Sequence, residues 1–370
     1  MFAYKVSLLD AHQRRDVTSK ITLVLTVSQQ IVQMILLVAI RNYYAYVLIQ
    51  PIFVVLANLI RSYKVDKLYP KYKCKGNISP ELKSDIKKKI VGLLSYKIYG
   101  VVFSAVDTIV ISKFLGLTTL AIYQNYNYIL TSVAGFVSVL TASLTAGIGN
   151  SLAVESRDKN YNDLKKFFFL YSWIIGWCSV CFVCLFQHFM VLWIGEALTF
   201  TIDTMVIIVI NFMINKMADI AYEYRVAAGL WWEDRFRPII AAIVNLSLNI
   251  YMVQRIGMNG VILSTLICTI VINIPWGTHI LFKIYFKRSP KEYYSKFIQK
   301  VIVTTIVAIF TYFTCDLFPD TGLIPLLIKG IICCIVPNIL FWLAYCREKE
   351  YSEAKKIMSK ICGILSRKSR

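Results

Sequence analysis

FFFLYSWIIGWCSVCFVCLFQ, residues 167–187, runs for 21 residues without a charged side chain, immediately after the DLKK of residues 163–166. A helix of about 20 residues rises about 30 Å, the thickness of a bilayer's hydrocarbon core, whereas a barrel strand needs only about half as many. In hydrocarbon every backbone donor and acceptor must be satisfied within its own segment, so the stretch reads as a membrane-crossing helix. Nine further runs share its character: 21–40, 43–60, 92–114, 118–146, 201–222, 238–254, 259–282, 301–318 and 323–346. Of the 370 residues 57% are apolar, against about 45–50% in soluble domains, and the mean hydropathy is +0.60. The expected fold class is an all-α integral membrane protein with about ten transmembrane helices.

The charge pattern supports this layout. Lys and Arg number 41 against 21 Asp and Glu, giving a net charge of +20 with only 17% charged residues. Thirty-five of those 41 cations fall in alternate loops: four in 1–20, ten in 61–89, four in 157–166, three in 225–237, six in 283–300 and eight in 347–370. The opposite loops hold Arg41, Lys113 and Arg255, while Lys97, Lys216 and Lys329 lie inside spans. By the positive-inside rule both termini are expected to be cytoplasmic. Cations spread over six loops do not form the single basic face of a nucleic-acid binder, so no nucleic-acid partner is expected. The first residues, MFAYKVSLLDAHQRRDVTSK, lack the apolar core of a cleavable signal peptide. KSDIKKK at 83–89 reads as a basic stretch resting on anionic headgroups.

Cys178, Cys181 and Cys184 give a CxxCxxC spacing, but within one apolar helix the thiols fan over an arc without a nearby His or carboxylate, and they read as small core residues. Cys315, near an outward loop, is a disulfide candidate without an evident partner. There is no GxxxxGK[ST] phosphate loop, HExxH or GxSxG, and the loops are short, so neither an ATPase nor a hydrolase is expected. No metal or cofactor site is expected.

Polar groups inside the spans mark a cavity or a helix contact. Lys97 lies close enough to the cytoplasmic end of its span to snorkel, and can equally face a cavity. Asp107, in SAVDTIVIS, has too short a stem for that and reads as cavity-facing. Asn211, Asn215 and Asp219 repeat at i, i+4, i+8 and form a polar stripe, with Lys216 placed to pair with Asp219. Asn245 and Asn249 repeat the spacing on the next span, and Gln124 and Asn127 lie on 118–146. Each amide can serve as interhelical glue or as a sugar contact; together they suggest a wet cavity.

DTIVISKFLGLTTLAIYQNYNYIL (107–130), SLTAGIGNSLAVES (143–156), LWIG (192–195), YRVAAGLWWEDRFRPIIAAIVNLSLNI (224–250) and GMNGVILSTL (257–266) resemble bacterial oligosaccharide flippases of the multidrug/oligosaccharidyl-lipid/polysaccharide exporter (MATE-like) superfamily. The resemblance covers roughly residues 1–290. It implies two six-helix lobes around a cavity open alternately to each side. Residues 1–60 would be the last two helices of an N-terminal lobe whose first four are lacking, 61–91 a basic inter-lobe loop and 92–282 the C-terminal lobe. Residues 283–346 would add two helices, and 347–370 a basic cytoplasmic tail. IVQMILLVAI (31–40) and IVNLSLNIYM (243–252) are a faint repeat between the lobes.

The implied substrate is a polyprenyl-diphosphate-linked oligosaccharide for O-antigen, capsule or lipopolysaccharide assembly at the inner membrane. Lys97 and Lys216 would meet its diphosphate, and Gln124, Asn127, Asn211, Asn215, Asn245 and Asn249 would line the cavity. Asp107 or Asp219 would hold a coupling cation, proton or sodium, or balance the lysines. The polymerase and glycosyltransferases of the pathway would be partners. Alternatives are a drug exporter of the same superfamily, a membrane polymerase or ligase, and a non-transporting remnant.

Overall fold

A computed structural model describes residues 3–12, 14–71, 78–319 and 322–353. The chain divides into two units, Met1–Ser79 and Pro80–Arg370. In the first unit a short helix α1 (Ala3–Ala11) precedes α2 (Arg15–Ala39) and α3 (Tyr43–Leu68), which pair as a hairpin. The turn closes because Arg41 takes a left-handed conformation (φ 51°) and Asn42 caps α3, its side chain accepting from the Tyr44 N–H at 2.8 Å. Gln33 donates to the Tyr46 carbonyl at 3.0 Å, Arg61 to Thr22 Oγ1 at 2.7 Å, and Lys5 pairs with Asp66 at 2.6 Å. Most large apolar side chains of α2 and α3, such as Val38, Met34 and Ile35, point outward from the unit. Hydrocarbon is the solvent in which such a surface is at no disadvantage.

The second unit begins with α4 (Pro80–Phe114), α5 (Gly116–Val154) and α6 (Arg157–Ile194), then α7 (Ile202–Met217), α8 (Asp219–Ala227) and α9 (Phe236–Cys268). A π-helical turn (Thr269–Asn273), α10 (Ile274–Ile280) and a second π turn (Leu281–Phe286) carry α9 onward, and α11 (Lys291–Asp316) and α12 (Leu323–Tyr345) close the chain. The structure is 89% helical with no strands among the described residues. Among the described residues, eight helical runs are long and apolar enough to cross a membrane. One of them, Phe236–Phe286, is 51 residues long and contains two of the expected spans, while 118–146 lies in α5, whose side chains at 140–146 are outside the description.

Several helices start earlier than hydropathy suggests, α4 and α6 among them. α4 takes in residues 80–91, where Lys83 and Lys87 are exposed and Lys89 pairs with Asp85 one turn away at 3.0 Å; polarity limits how deep a helix lies, not whether it is helical. α6 takes in Arg157 because Ser156 caps it, accepting from the Lys159 N–H at 3.3 Å. Residues 72–77 of the expected inter-lobe loop, and the basic tail beyond 353, lie outside the described residues.

α9 doubles back at Ile256 (φ −131°, ψ 19°) and Gly257 (φ 58°, ψ −132°), a backbone that L side chains rarely adopt. The two arms pack so closely that a Cβ at Gly260 would collide with the Met252 carbonyl. The core of the unit gathers Leu164, Ile175, Met190, Met205, Met217 and Phe282. A second cluster around Phe169, Val180 and Phe341 joins α6 to α11 and α12. There Gly176 leaves room for Thr304, whose Oγ1 would be 2.8 Å from an added Cβ, and Trp173 and Trp177 donate to Asn338 Oδ1 and the Cys333 carbonyl, both at 2.9 Å.

Candidate functional site: a polar cavity

A cavity of about 310 Å³ opens inside the second unit, walled by Tyr96 and Tyr99 of α4, Asn215 of α7, Asp219, Tyr222 and Arg225 of α8, Arg237 of α9, and Thr269 and Asn273 of the π turn. This is a polar wall in an apolar bundle. The wider π turn brings Thr269 and Asn273 onto it together: Thr269 donates to Asn215 Oδ1 at 3.0 Å, and Asn273 donates to the Tyr99 hydroxyl at 3.0 Å.

At one end lies a buried ionic cluster. Asp234, wholly buried in the segment between α8 and α9, receives Arg237 Nε at 2.8 Å on Oδ1 and Arg237 Nη2 at 2.8 Å on Oδ2. Arg225 Nε approaches Oδ2 at 3.0 Å, and the Tyr96 hydroxyl donates to the same oxygen. Arg237 Nη1 donates to Asn273 Oδ1 at 2.6 Å. Burial pushes the Asp234 carboxyl above the usual carboxylate range, while Arg237's hydrogen bonds and charge pull it back down. One carboxylate therefore serves two buried guanidinium groups, leaving a surplus of positive charge at the cavity wall.

Small residues make this arrangement possible. A Cβ at Gly277 would fall on the Arg225 guanidinium, and one at Gly92 would stand 2.6 Å from the Trp231 carbonyl, so the segment carrying Asp234 docks flush against α4. Trp231 meets the Tyr96 ring edge-on at 4.7 Å, while Arg235 stacks over Trp232 at 3.9 Å.

A smaller cavity, about 160 Å³, is lined by Tyr123, Asn127, Thr131, Asn211, Asn215 and Lys216 among others. Asn215 belongs to both walls and donates to Asn211 Oδ1 at 2.8 Å. Lys216 faces the smaller cavity and Asp219 the larger, joined at 3.0 Å, and Asp219 also accepts from the Tyr171 hydroxyl at 3.1 Å. The Asn211, Asn215, Asp219 stripe is thus the ridge between two cavities, and Asn127 joins it from α5.

The other expected residues lie elsewhere. Asp107 accepts from Asn249 at 3.0 Å and from Thr265 at 3.3 Å, and Asn245 donates to Thr265 at 3.1 Å. These four knit α4 to both arms of α9 and are not on the walls of either cavity; Asn249 Oδ1 is buried without a partner. Gln124 is exposed and donates to Thr108 Oγ1 at 3.4 Å. Lys97 is exposed on α4, beside but not among the cavity-lining Tyr96, Tyr99 and Gly100.

Arg225 and Arg237, counted by sequence among loop cations, are interior groups with side chains 7% and 5% exposed. A signal for Arg225 was present: 14 residues from Asn211, it falls within about 40° of the Asn211, Asn215, Asp219 stripe on a continuous helix. Comparison with known proteins gives no match to a family model, a curated protein or a solved structure.

Proposed function

We propose that this multi-pass membrane protein moves a polyprenyl-diphosphate-linked oligosaccharide across the bacterial cytoplasmic membrane by alternating access, supplying surface polysaccharide assembly. The observation that carries the reading is the pair of buried guanidinium groups sharing one carboxylate on the wall of a polar cavity. Burying a cation without full compensation costs several kcal/mol, and a bound anion offsets that cost. Guanidinium groups suit phosphate because their donors form a planar fork.

In this reading Arg225 and Arg237 take the diphosphate, the role first expected of Lys97 and Lys216. Asn215, Asn273, Thr269 and Thr278 of α10, which also lines the cavity, offer donors and acceptors to sugar hydroxyls. Asn127 and Asn211 extend that wall into the smaller cavity. The volume lies at the low end of the range for ligand sites, about 300–1,000 Å³, as suits one end of a larger substrate whose prenyl tail stays in lipid. A cationic drug is a poor fit, since Asp219 is paired with Lys216 and Asp234 with two arginines.

The test is complementation of a strain lacking its repeat-unit flippase. Wild-type chain, Arg225→Gln and Lys97→Ala should reach equal levels in the membrane. Restored surface polysaccharide with wild type and Lys97→Ala, but not with Arg225→Gln, is the expected result. Full restoration by Arg225→Gln overturns the assignment.

A further inference from the structure

Three cysteines distant in sequence meet in the second core cluster, away from both polar cavities. Cys184 of α6, Cys315 of α11 and Cys333 of α12 are all buried, and their sulfurs lie within 4.8 Å of one another, with Cys315 and Cys333 at 3.9 Å. We propose that Cys184, Cys315 and Cys333 form a binding site for a thiophilic d10 cation, zinc, which ties the last two helices to α6.

Geometry comes first. Three atoms no more than 4.8 Å apart share a point within about 2.8 Å of each, so a contraction of about 0.5 Å reaches the zinc–sulfur distance of about 2.3 Å. Two ligands on a zinc ion at that distance stand about 3.8–4.0 Å apart, and the Cys315–Cys333 separation of 3.9 Å already matches. Cys181, one turn before Cys184, has its sulfur 4.0 Å from the Cys333 carbonyl oxygen and is not among the three sulfurs that meet. Thiolate donors select soft cations over magnesium or calcium, which favour oxygen.

Charge follows. Binding exchanges three thiol protons for one Zn²⁺, so three thiolates and the ion carry a net charge of −1. Lys329 precedes Cys333 by one turn on the same buried face of α12 and is itself buried. Its ammonium balances that charge where no solvent can. The surrounding Phe169, Val180, Val307 and Phe341 keep the site dry.

The test uses the full chain, purified in detergent under reducing conditions, stripped with chelator and titrated with Cd²⁺, whose thiolate charge-transfer absorbance reports sulfur ligation. One equivalent should bind and be displaced by Zn²⁺. Cys178→Ser, whose parent thiol packs against the other core cluster, should keep that stoichiometry. Cys315→Ser and Cys333→Ser should lose the band, and Lys329→Met should weaken affinity roughly 10–100-fold, as loss of an outer-sphere partner does. Absence of the band in reduced, folded wild type overturns the site, as does a band that survives in the Cys184/Cys315/Cys333 triple serine variant. A Cys315–Cys333 disulfide that forms in the membrane in place of metal uptake also overturns it. Should the serine variants fail to fold, alkylation of the wild type answers instead: zinc should protect these three thiols and leave Cys334 and Cys346, both exposed, reactive.

Discussion

Asp234→Asn is the substitution that most directly tests the ionic cluster. The amide keeps the carboxylate's shape but loses its charge, so Arg225 and Arg237 become two buried cations without a counter-ion. Removing one partner from a buried pair costs about 3–5 kcal/mol, because the remaining charge stays desolvated. Two guanidinium groups lose their partner here, with donors at 2.8–3.0 Å, so the upper half of that range is expected. Thermal unfolding in detergent should show a fall in melting temperature of at least about 5 °C. Inorganic pyrophosphate should restore part of the loss, since it binds the folded state where the carboxylate stood. Arg225→Met combined with Asp234→Asn should be more stable than Asp234→Asn alone, because it removes one of the stranded charges. A variant as stable as wild type, or one indifferent to pyrophosphate, would refute both the burial of the cluster and its anion-binding character.

Three other outcomes follow from the packing. Gly92→Ala places a Cβ against the Trp231 carbonyl at 2.6 Å and should cost about 1–3 kcal/mol in chemical denaturation, with a loss of protease protection in residues 228–235. Gly277→Ala intrudes on the Arg225 guanidinium and should weaken pyrophosphate binding more than it weakens the fold, read by comparing ligand titration with melting. Lys97→Ala, at an exposed position, should change stability by less than about 0.5 kcal/mol.

The helices were legible in the sequence because hydrocarbon demands long uncharged runs, and each expected span is largely helical, although 201–222 crosses from α7 into α8 and 259–282 runs through the π turns. Helix starts were not, because Pro80–Lys89 and Arg157–Lys166 are polar and helical together. The Asn211, Asn215, Asp219 stripe could be read because its spacing follows consecutive turns of the chain from α7 into the start of α8 and needs no knowledge of neighbours. Asp107, Asn245 and Asn249 looked alike in sequence, yet they bond with one another: a lone polar group on a span announces a partner without saying whether that partner is water or another helix. Arg225 and Arg237 were hidden by counting. Loop cations near a membrane are ordinarily exposed, and only the fold shows the WWEDR segment tucked against Gly92. The π turn that presents Thr269 and Asn273 has no composition signal in TIVIN. The three-cysteine cluster escaped for a similar reason, since its members come from three helices and only the within-helix spacing of Cys178, Cys181 and Cys184 was visible.

In the proposed function Arg225 and Arg237 receive the diphosphate of a lipid-linked oligosaccharide that crosses the membrane. The direct measurement is transbilayer movement of a polyprenyl-diphosphate oligosaccharide in proteoliposomes holding equal amounts of wild type, Arg225→Gln/Arg237→Gln or Lys97→Ala. Rapid movement with wild type and Lys97→Ala, and movement at the protein-free rate with the double variant, is the predicted result; equal rates for wild type and the double variant contradict it.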